Sequence, residues 1–155
     1  MLLKQLNILL ADDDTDDCIF FKEALGVMPF YTNLTTVHDG EQVMQVLADK
    51  AKTFPDILFL DLNMPRKNGF ECLIEIKQNK TLKDLPVIIF STSFEQEVVN
   101  LLYKNGASYF IRKPSEFSQF KKIIQHALTL MIQINGAQPA KENFVLTLDN
   151  DVVSR

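Results

Sequence analysis

Long apolar runs are missing from this chain, and with them any segment of the roughly 20 residues that a membrane-spanning helix needs. The most apolar end, Met1 to Leu10, is broken by Lys4, Gln5 and Asn7 and runs into Asp12, Asp13 and Asp14, with no small-residue cleavage site of the secretory kind. A basic surplus is also missing. Sixteen Lys and Arg face twenty Asp and Glu, for a net charge of −4, and Lys121-Lys122 is only a doublet, so a nucleic-acid-binding face is not expected. Cysteine is scarce: Cys18 and Cys72 stand far apart without metal spacing, which implies buried thiols in a reduced, cytoplasmic protein. Histidine is scarcer in use than in number, since His38 follows the second apolar run and His126 falls in the last helical pattern. Neither suits a zinc site or a general base. No GxxxxGK[ST] loop and no glycine-rich turn follows the first apolar run, which removes the usual signals of a nucleotide or flavin binder.

What is present is an alternation. With 155 residues, 46% hydrophobic and 23% charged, the chain is long enough for one domain with a real core. Leu6 to Ala11, Leu34 to Val37, Ile57 to Leu60, Pro86 to Phe90 and Tyr109 to Ile111 are short apolar runs that read as strands. Ile57 to Leu60 is unbroken, as in a strand buried on both faces. Between the runs lie helical stripes: Cys18, Phe21 and Leu25; Val43, Val46, Leu47 and Ala51; Phe70, Leu73 and Ile74; Val98, Leu101 and Leu102; and Phe117, Phe120, Ile124, Ala127, Leu128 and Met131. Asp14 or Thr15 is placed to cap the first helix, Gly26 and Pro29 to end it, Asn105-Gly106 to end the fourth and Ser115 to cap the fifth. Strand-helix alternation with short connections predicts an α/β fold: a flavodoxin-like, doubly wound parallel sheet of five strands, order 2-1-3-4-5, with helices on both faces. Residues 1–134 make up this domain. Beyond Ile134, Gly136-Ala137-Gln138-Pro139 reads as a linker and the weak alternation of Phe144, Leu146 and Leu148 as a loose strand, a docking segment or disorder. A mobile tail over 135–155 is the expectation.

Polar groups then collect at one rim. Strand one ends in Asp12 and Asp13, strand three in Asp61, strand four in Ser91 and strand five in Lys113. In the predicted order strands one and three are neighbours at the switch point, where such sheets keep their ligand crevice. Each residue alone has an ordinary explanation. Asp61 could cap a turn, Asp14, Asp16 and Asp17 suit a helix start, and Ser91 and Lys113 are common at surfaces. Together they are harder to dismiss. Two carboxylates about 4 Å apart repel by roughly 4 kcal/mol at an effective dielectric of ~20, so three in one crevice call for a cation. Oxygen donors alone favour Mg2+, with Asp13 and Asp61 as ligands. Asp61, ending the central strand, is placed as a carboxylate nucleophile toward phosphorus, with Lys113 and Ser91 as partners for phosphoryl oxygens.

Over residues ~5 to ~133 the chain resembles the receiver domain of two-component response regulators. The resemblance is carried by Asp12-Asp13, Asp61 followed by Met64-Pro65 and Gly69, Ser91-Thr92, and Lys113-Pro114. It implies that Asp61 is the phosphoacceptor and that Asp12 and Asp13 are the acid pair. Asp13 and Asp61 side chains and the Asn63 carbonyl would hold Mg2+. Ser91 would be the switch hydroxyl and Lys113 the phosphate partner. The moving aromatic would be Phe110 or its neighbour Tyr109. The donor would be the phosphohistidine of a sensor kinase or phosphotransfer protein, and the output a protein target. A second copy of the chain over helix four, strand five and helix five is a further candidate partner. The chain is similar to the single-domain subclass, and its Asp61 to Gly69 wording to regulators that partner phytochrome-type kinases. Two rivals remain at this point. An aspartate-nucleophile phosphohydrolase would want an acid two residues after Asp61, where Asn63 stands. A docking module without the chemistry would have no need of the complete residue set.

Overall fold

The computed structural model describes residues 5–29, 31–134 and 137–148. Six parallel strands form one sheet in the order β2-β1-β3-β4-β5-β6. The strands are β1 (Leu6–Ala11), β2 (Thr32–Val37), β3 (Ile57–Leu60), β4 (Val87–Ser91), β5 (Tyr109–Arg112) and β6 (Val145–Leu146). The helices are α1 (Thr15–Gly26), α2 (Gly40–Ala48), α3 (Gly69–Gln78), α4 (Gln96–Lys104) and α5 (Phe117–Ile134). None of the described helices is long and apolar enough to cross a membrane.

Local chemistry sets where the helices begin. Asp14 accepts from the N–H groups of Asp16 and Asp17, Asp39 accepts from Gln42 N–H, and Asn68 and Glu71 form a reciprocal capping box. The cap expected at Ser115 is not used. Helix α5 starts at Phe117, with Phe120 N–H donating to Glu116 O at 2.9 Å. Ala51 likewise falls beyond α2, which stops at Ala48, and it is exposed. Side chains of β1, β3 and β4 are buried on both faces and split into two cores. One packs under α2, α3 and α4 and the other under α1 and α5, where Phe21, Phe59, Phe90 and Phe120 meet edge-on. Both cysteines are free thiols that burial pushes up to about 11, so neither is reactive near neutrality.

The five-strand expectation is corrected to six. Leu146 and Val145 pair with Ile111 and Phe110, and Phe110 N–H donates to Phe144 O at 3.0 Å. Phe144 is buried against Tyr103 with ring centroids 5.1 Å apart. Tyr103 Oη donates to Pro139 O at 2.8 Å, and Gln138 Nε2 donates to Tyr103 O and Ala107 O at 2.9 and 2.7 Å. Residues 137–148, expected as part of a mobile tail, are therefore packed along the β5 edge, where they satisfy backbone groups that would otherwise face water. The rest of that tail, 135–136 and 149–155, lies outside the described residues.

Gly69 fixes α3 against the end of β3. A Cβ at this position would lie 2.2 Å from Asp61 O and 2.9 Å from Leu62 Cα. Both are backbone atoms, so nothing can swing aside. Gly69→Ala is expected to lower stability by about 1–3 kcal/mol, as overpacking does in a tight site. A urea midpoint within error of the parent's would show the contact to be looser than this.

Candidate functional site

The pairing register places the rim residues. Asp12 and Asp61 each follow the last residue of neighbouring strands, Ala11 and Leu60, which are themselves register partners. Asp61 N–H donates to Ala11 O at 2.9 Å, and Asp12 N–H donates to Val37 O at 3.0 Å. Asp12, Asp13 and Asp61 can each offer an oxygen within 4.8 Å of the others. Asp12 and Asp61 are buried and Asp13 is exposed. Lys113 N–H donates to Ser91 O at 2.8 Å, which ties β5's exit to β4's. The Lys113 side chain, 5% exposed, then reaches back over the crevice. Its Nζ lies 2.7 Å from Asp12 Oδ2, 2.8 Å from Asp17 Oδ2 and 3.3 Å from Asp61 Oδ2, and 5.3 Å from the centre of the Phe90 ring.

Burial raises Asp12 to about 7 despite the opposing pull of Lys113 and the Asp14 N–H, and burial likewise raises Asp61. Burial pulls Lys113 down, but Asp12 and Asp17 outweigh it and the ammonium is held above its ordinary value. The short Lys113–Asp12 contact is one of charge: Asp12 Oδ2 is fully buried and takes no aligned hydrogen bond, while Oδ1 accepts from Asp14 N–H at 2.9 Å. A buried carboxylate oxygen with no aligned hydrogen bond, beside two other carboxylates and, among the described residues, no nitrogen or sulfur ligand in the cluster, is the donor set of a hard divalent cation. The residues fit such an ion.

This predicts an unusual pH dependence. A carboxyl whose folded pKa lies above its unfolded value contributes stability that is complete below about pH 4 and is lost as pH rises through about 7. In the presence of a chelator, Asp12→Asn should therefore raise the unfolding temperature more at about pH 8 than at about pH 5. Added divalent cation should restore the parent at the higher pH and help the variant less. Equal shifts at both pH values would mean that Asp12 is not strained by burial.

Ser91 is buried at the end of β4, and the hydrogen bonds of its hydroxyl go to Ser93: Oγ to Oγ at 3.2 Å, and Ser93 N–H to Ser91 Oγ at 3.3 Å. Asn63 is exposed, and its N–H reaches Asp61 Oδ1 only at 3.4 Å. Phe110 pairs with Ile89, so its ring shares a sheet face with Ser91 two residues on, whereas Tyr109 pairs with Ile88 and faces the α1 and α5 side. Both aromatics are buried, and Phe94 meets Phe110 edge-on at 5.6 Å.

Two contacts were not expected from the sequence. Asp17 had the reading of a helix-start charge, yet Asp14 performs the capping and Asp17 pairs with Lys113. The signal available was position, since Asp17 stands on the first turn of the helix that leaves the Asp12-Asp13 rim. His38 Nδ1 lies 3.1 Å from Asp12 O, a contact with a carbonyl that needs the proton on Nδ1. It touches the backbone behind the crevice and not the carboxylates.

The chain is similar to known proteins. A family model described as the response regulator receiver domain matches residues 8–125. Response regulator Rcp1 of Synechocystis sp. is 31% identical over 122 residues, spanning 76% of this chain and 83% of Rcp1. Transcriptional regulatory protein CpxR of Klebsiella pneumoniae is 36% identical over 108 residues, spanning 70% of this chain and 43% of CpxR. The crystal structure of the Mn2+-bound form of Rcp1 matches with a TM-score of 0.78 at 29% identity, covering 87% of this chain and 99% of that one. The phosphorylated cyanobacterial phytochrome response regulator RcpA matches with a TM-score of 0.78 at 30% identity, covering 88% and 100%.

Proposed function

The chain belongs to the response regulator receiver domain family, and from that membership we propose that Asp61 accepts a phosphoryl group from a phosphohistidine and holds it as a signal. The observation that carries this is the convergence of Lys113 Nζ on Asp61, 3.3 Å away, beside the Asp12, Asp13 and Asp61 cluster. Receiver domains are signalling modules, and the chemistry assigned here is limited to the chain's own phosphorylation and dephosphorylation. An Asp61 carboxylate oxygen forms the new bond to phosphorus as the donor's P–N bond breaks. The electron pair leaves with the imidazole, which is then protonated from solvent. Lys113 places a positive charge beside an equatorial oxygen. Asp13 and Asp61 side chains, with Asp12 behind them and the Asn63 carbonyl, would hold Mg2+. An ion held there would supply positive charge to offset that of the phosphoryl oxygens.

The phosphoryl group brings about −1.5 to −2 charge and three acceptors. Ser91, now bonded to Ser93, and Lys113 would each gain a charge-assisted hydrogen bond of roughly 1.5–3 kcal/mol, enough together to move a two-state equilibrium at least a hundredfold. Phe110, which shares Ser91's face, is the aromatic we assign to this switch; Tyr109 on the opposite face is not. Output passes to a protein target rather than to nucleic acid or membrane, and a second copy of the chain over α4, β5 and α5 is one such surface. The net charge of −4 argues against a nucleic-acid partner, and the family supports a protein target and a cytoplasmic location.

The test is intact mass after incubation with Mg2+ and acetyl phosphate. A gain of one phosphoryl group is expected. Its absence would favour a docking module, and sustained turnover of phosphate esters would favour a hydrolase.

A further inference from the structure

The crevice holds more negative charge than accepting a phosphoryl group requires. Asp12, Asp17 and Asp61 all close on the Lys113 ammonium, beside the Asp13 carboxylate of the same acidic cluster. Asp17 has no part in capping α1, because the Asp14 carboxylate already accepts from Asp16 and Asp17 N–H. Its side chain, 18% exposed, instead lies 2.8 Å from Lys113 Nζ, nearer than Asp61 at 3.3 Å.

We propose that Asp17 is a positioning residue that competes with the phosphorylated acceptor for the Lys113 ammonium and so limits how tightly the crevice holds a phosphoryl group. This rests on the acceptor role given to Asp61 above and adds a regulator of that site. Two effects have the same sign. Phosphorylation makes the Asp61 end more negative, which a neighbouring carboxylate opposes. An ammonium shared with Asp17 also delivers less of its charge to a phosphoryl oxygen. Removing the Asp17 charge relieves both. The side chain lies at the crevice edge on the first turn of α1, so the change leaves the buried carboxylates and the core intact.

The experiment is a titration with fluoroberyllate, an anionic phosphoryl mimic, at saturating Mg2+. Asp17→Asn is expected to bind it about tenfold more tightly, the equivalent of about 1.4 kcal/mol. Asp17→Glu, which restores the charge, should return affinity toward the parent. In a Lys113→Gln background the Asp17→Asn gain should fall well short of tenfold, because only the direct repulsion remains once the ammonium is gone. Unchanged or weaker binding by Asp17→Asn would overturn the proposal, and so would a gain of full size without Lys113. A second readout is independent of acceptor chemistry. With 15N-labelled lysine and no metal, Asp17→Asn should shift the Lys113 ammonium resonance and speed its proton exchange. An unmoved resonance overturns the hold of Asp17 on Lys113. If instead the parent binds no fluoroberyllate while that resonance moves, the acceptor reading fails and the Asp17 contact stands.

Discussion

Asp61→Asn is expected to gain no phosphoryl mass from acetyl phosphate and Mg2+ under conditions that load the parent. The reason is chemical and local. The parent carboxylate offers a charged oxygen lone pair to phosphorus, whereas an amide oxygen is neutral and its nitrogen pair is delocalised. The substitution also replaces one of the three carboxylates of the cation cluster with a neutral amide. Loss of folding cannot account for the result in this protein. Burial already disfavours the Asp61 carboxylate, so a neutral isostere should leave the metal-free protein at least as stable as the parent. The expected pattern is thus complete loss of phosphorylation with an unfolding temperature in chelator equal to or above the parent's. Because the chain has no tryptophan, cation binding in the two proteins is followed by NMR and not by indole fluorescence. A variant that still gains the phosphoryl mass would place the acceptor elsewhere, with Asp12 and Asp13 the candidates in the cluster. A variant that both fails to load and unfolds early would leave the raised Asp61 pKa unexplained.

The crevice was legible because strand ends are read directly from a sequence. An unbroken apolar run such as Ile57 to Leu60 reveals its strand, and the next residue must stand at the rim. Parallel order then joins Asp12 to Asp61 without any knowledge of side chains. Lys113 was legible for the same reason, since it follows the end of β5. Contacts made by side-chain reach were less accessible. Asp17 and Asp16 have the same composition and nearly the same position, and only the turn of α1 decides that Asp17 meets Lys113. Likewise Phe110 and Tyr109 are adjacent and both aromatic, and the register against Ile89 and Ile88 was needed to separate their faces. The sixth strand was obscured by its length. A two-residue strand has no periodicity to detect, and Phe144, which anchors it, lies just outside the paired residues.

That anchor has a large predicted effect of its own. Phe144→Ala should lower stability by about 3–5 kcal/mol if the surrounding core cannot close over the space, as for a buried Phe elsewhere. Phe144 sits near the end of the described chain, so a second response competes with the cavity: residues 137–148 can detach as a unit. The loss then stops at the docking free energy of that segment, and the smaller of the two values is the one observed. The two responses differ at one atom. Phe110 N–H donates to Phe144 O, so detachment exposes this amide while a cavity under a docked segment leaves it bonded. Hydrogen exchange at Phe110, read alongside the urea midpoint, distinguishes them. Detachment is the expected outcome, because the Phe144 ring, 1% exposed against Tyr103, is the most deeply buried side chain of a short segment paired by two residues. An unchanged midpoint with a parent amide already exchanging freely would mean that the segment is undocked in solution, as the sequence pattern alone suggested. Protection in the parent that is lost in the variant would instead tie the β5 edge, and with it the backbone of Phe110, to a segment outside the domain read from the sequence.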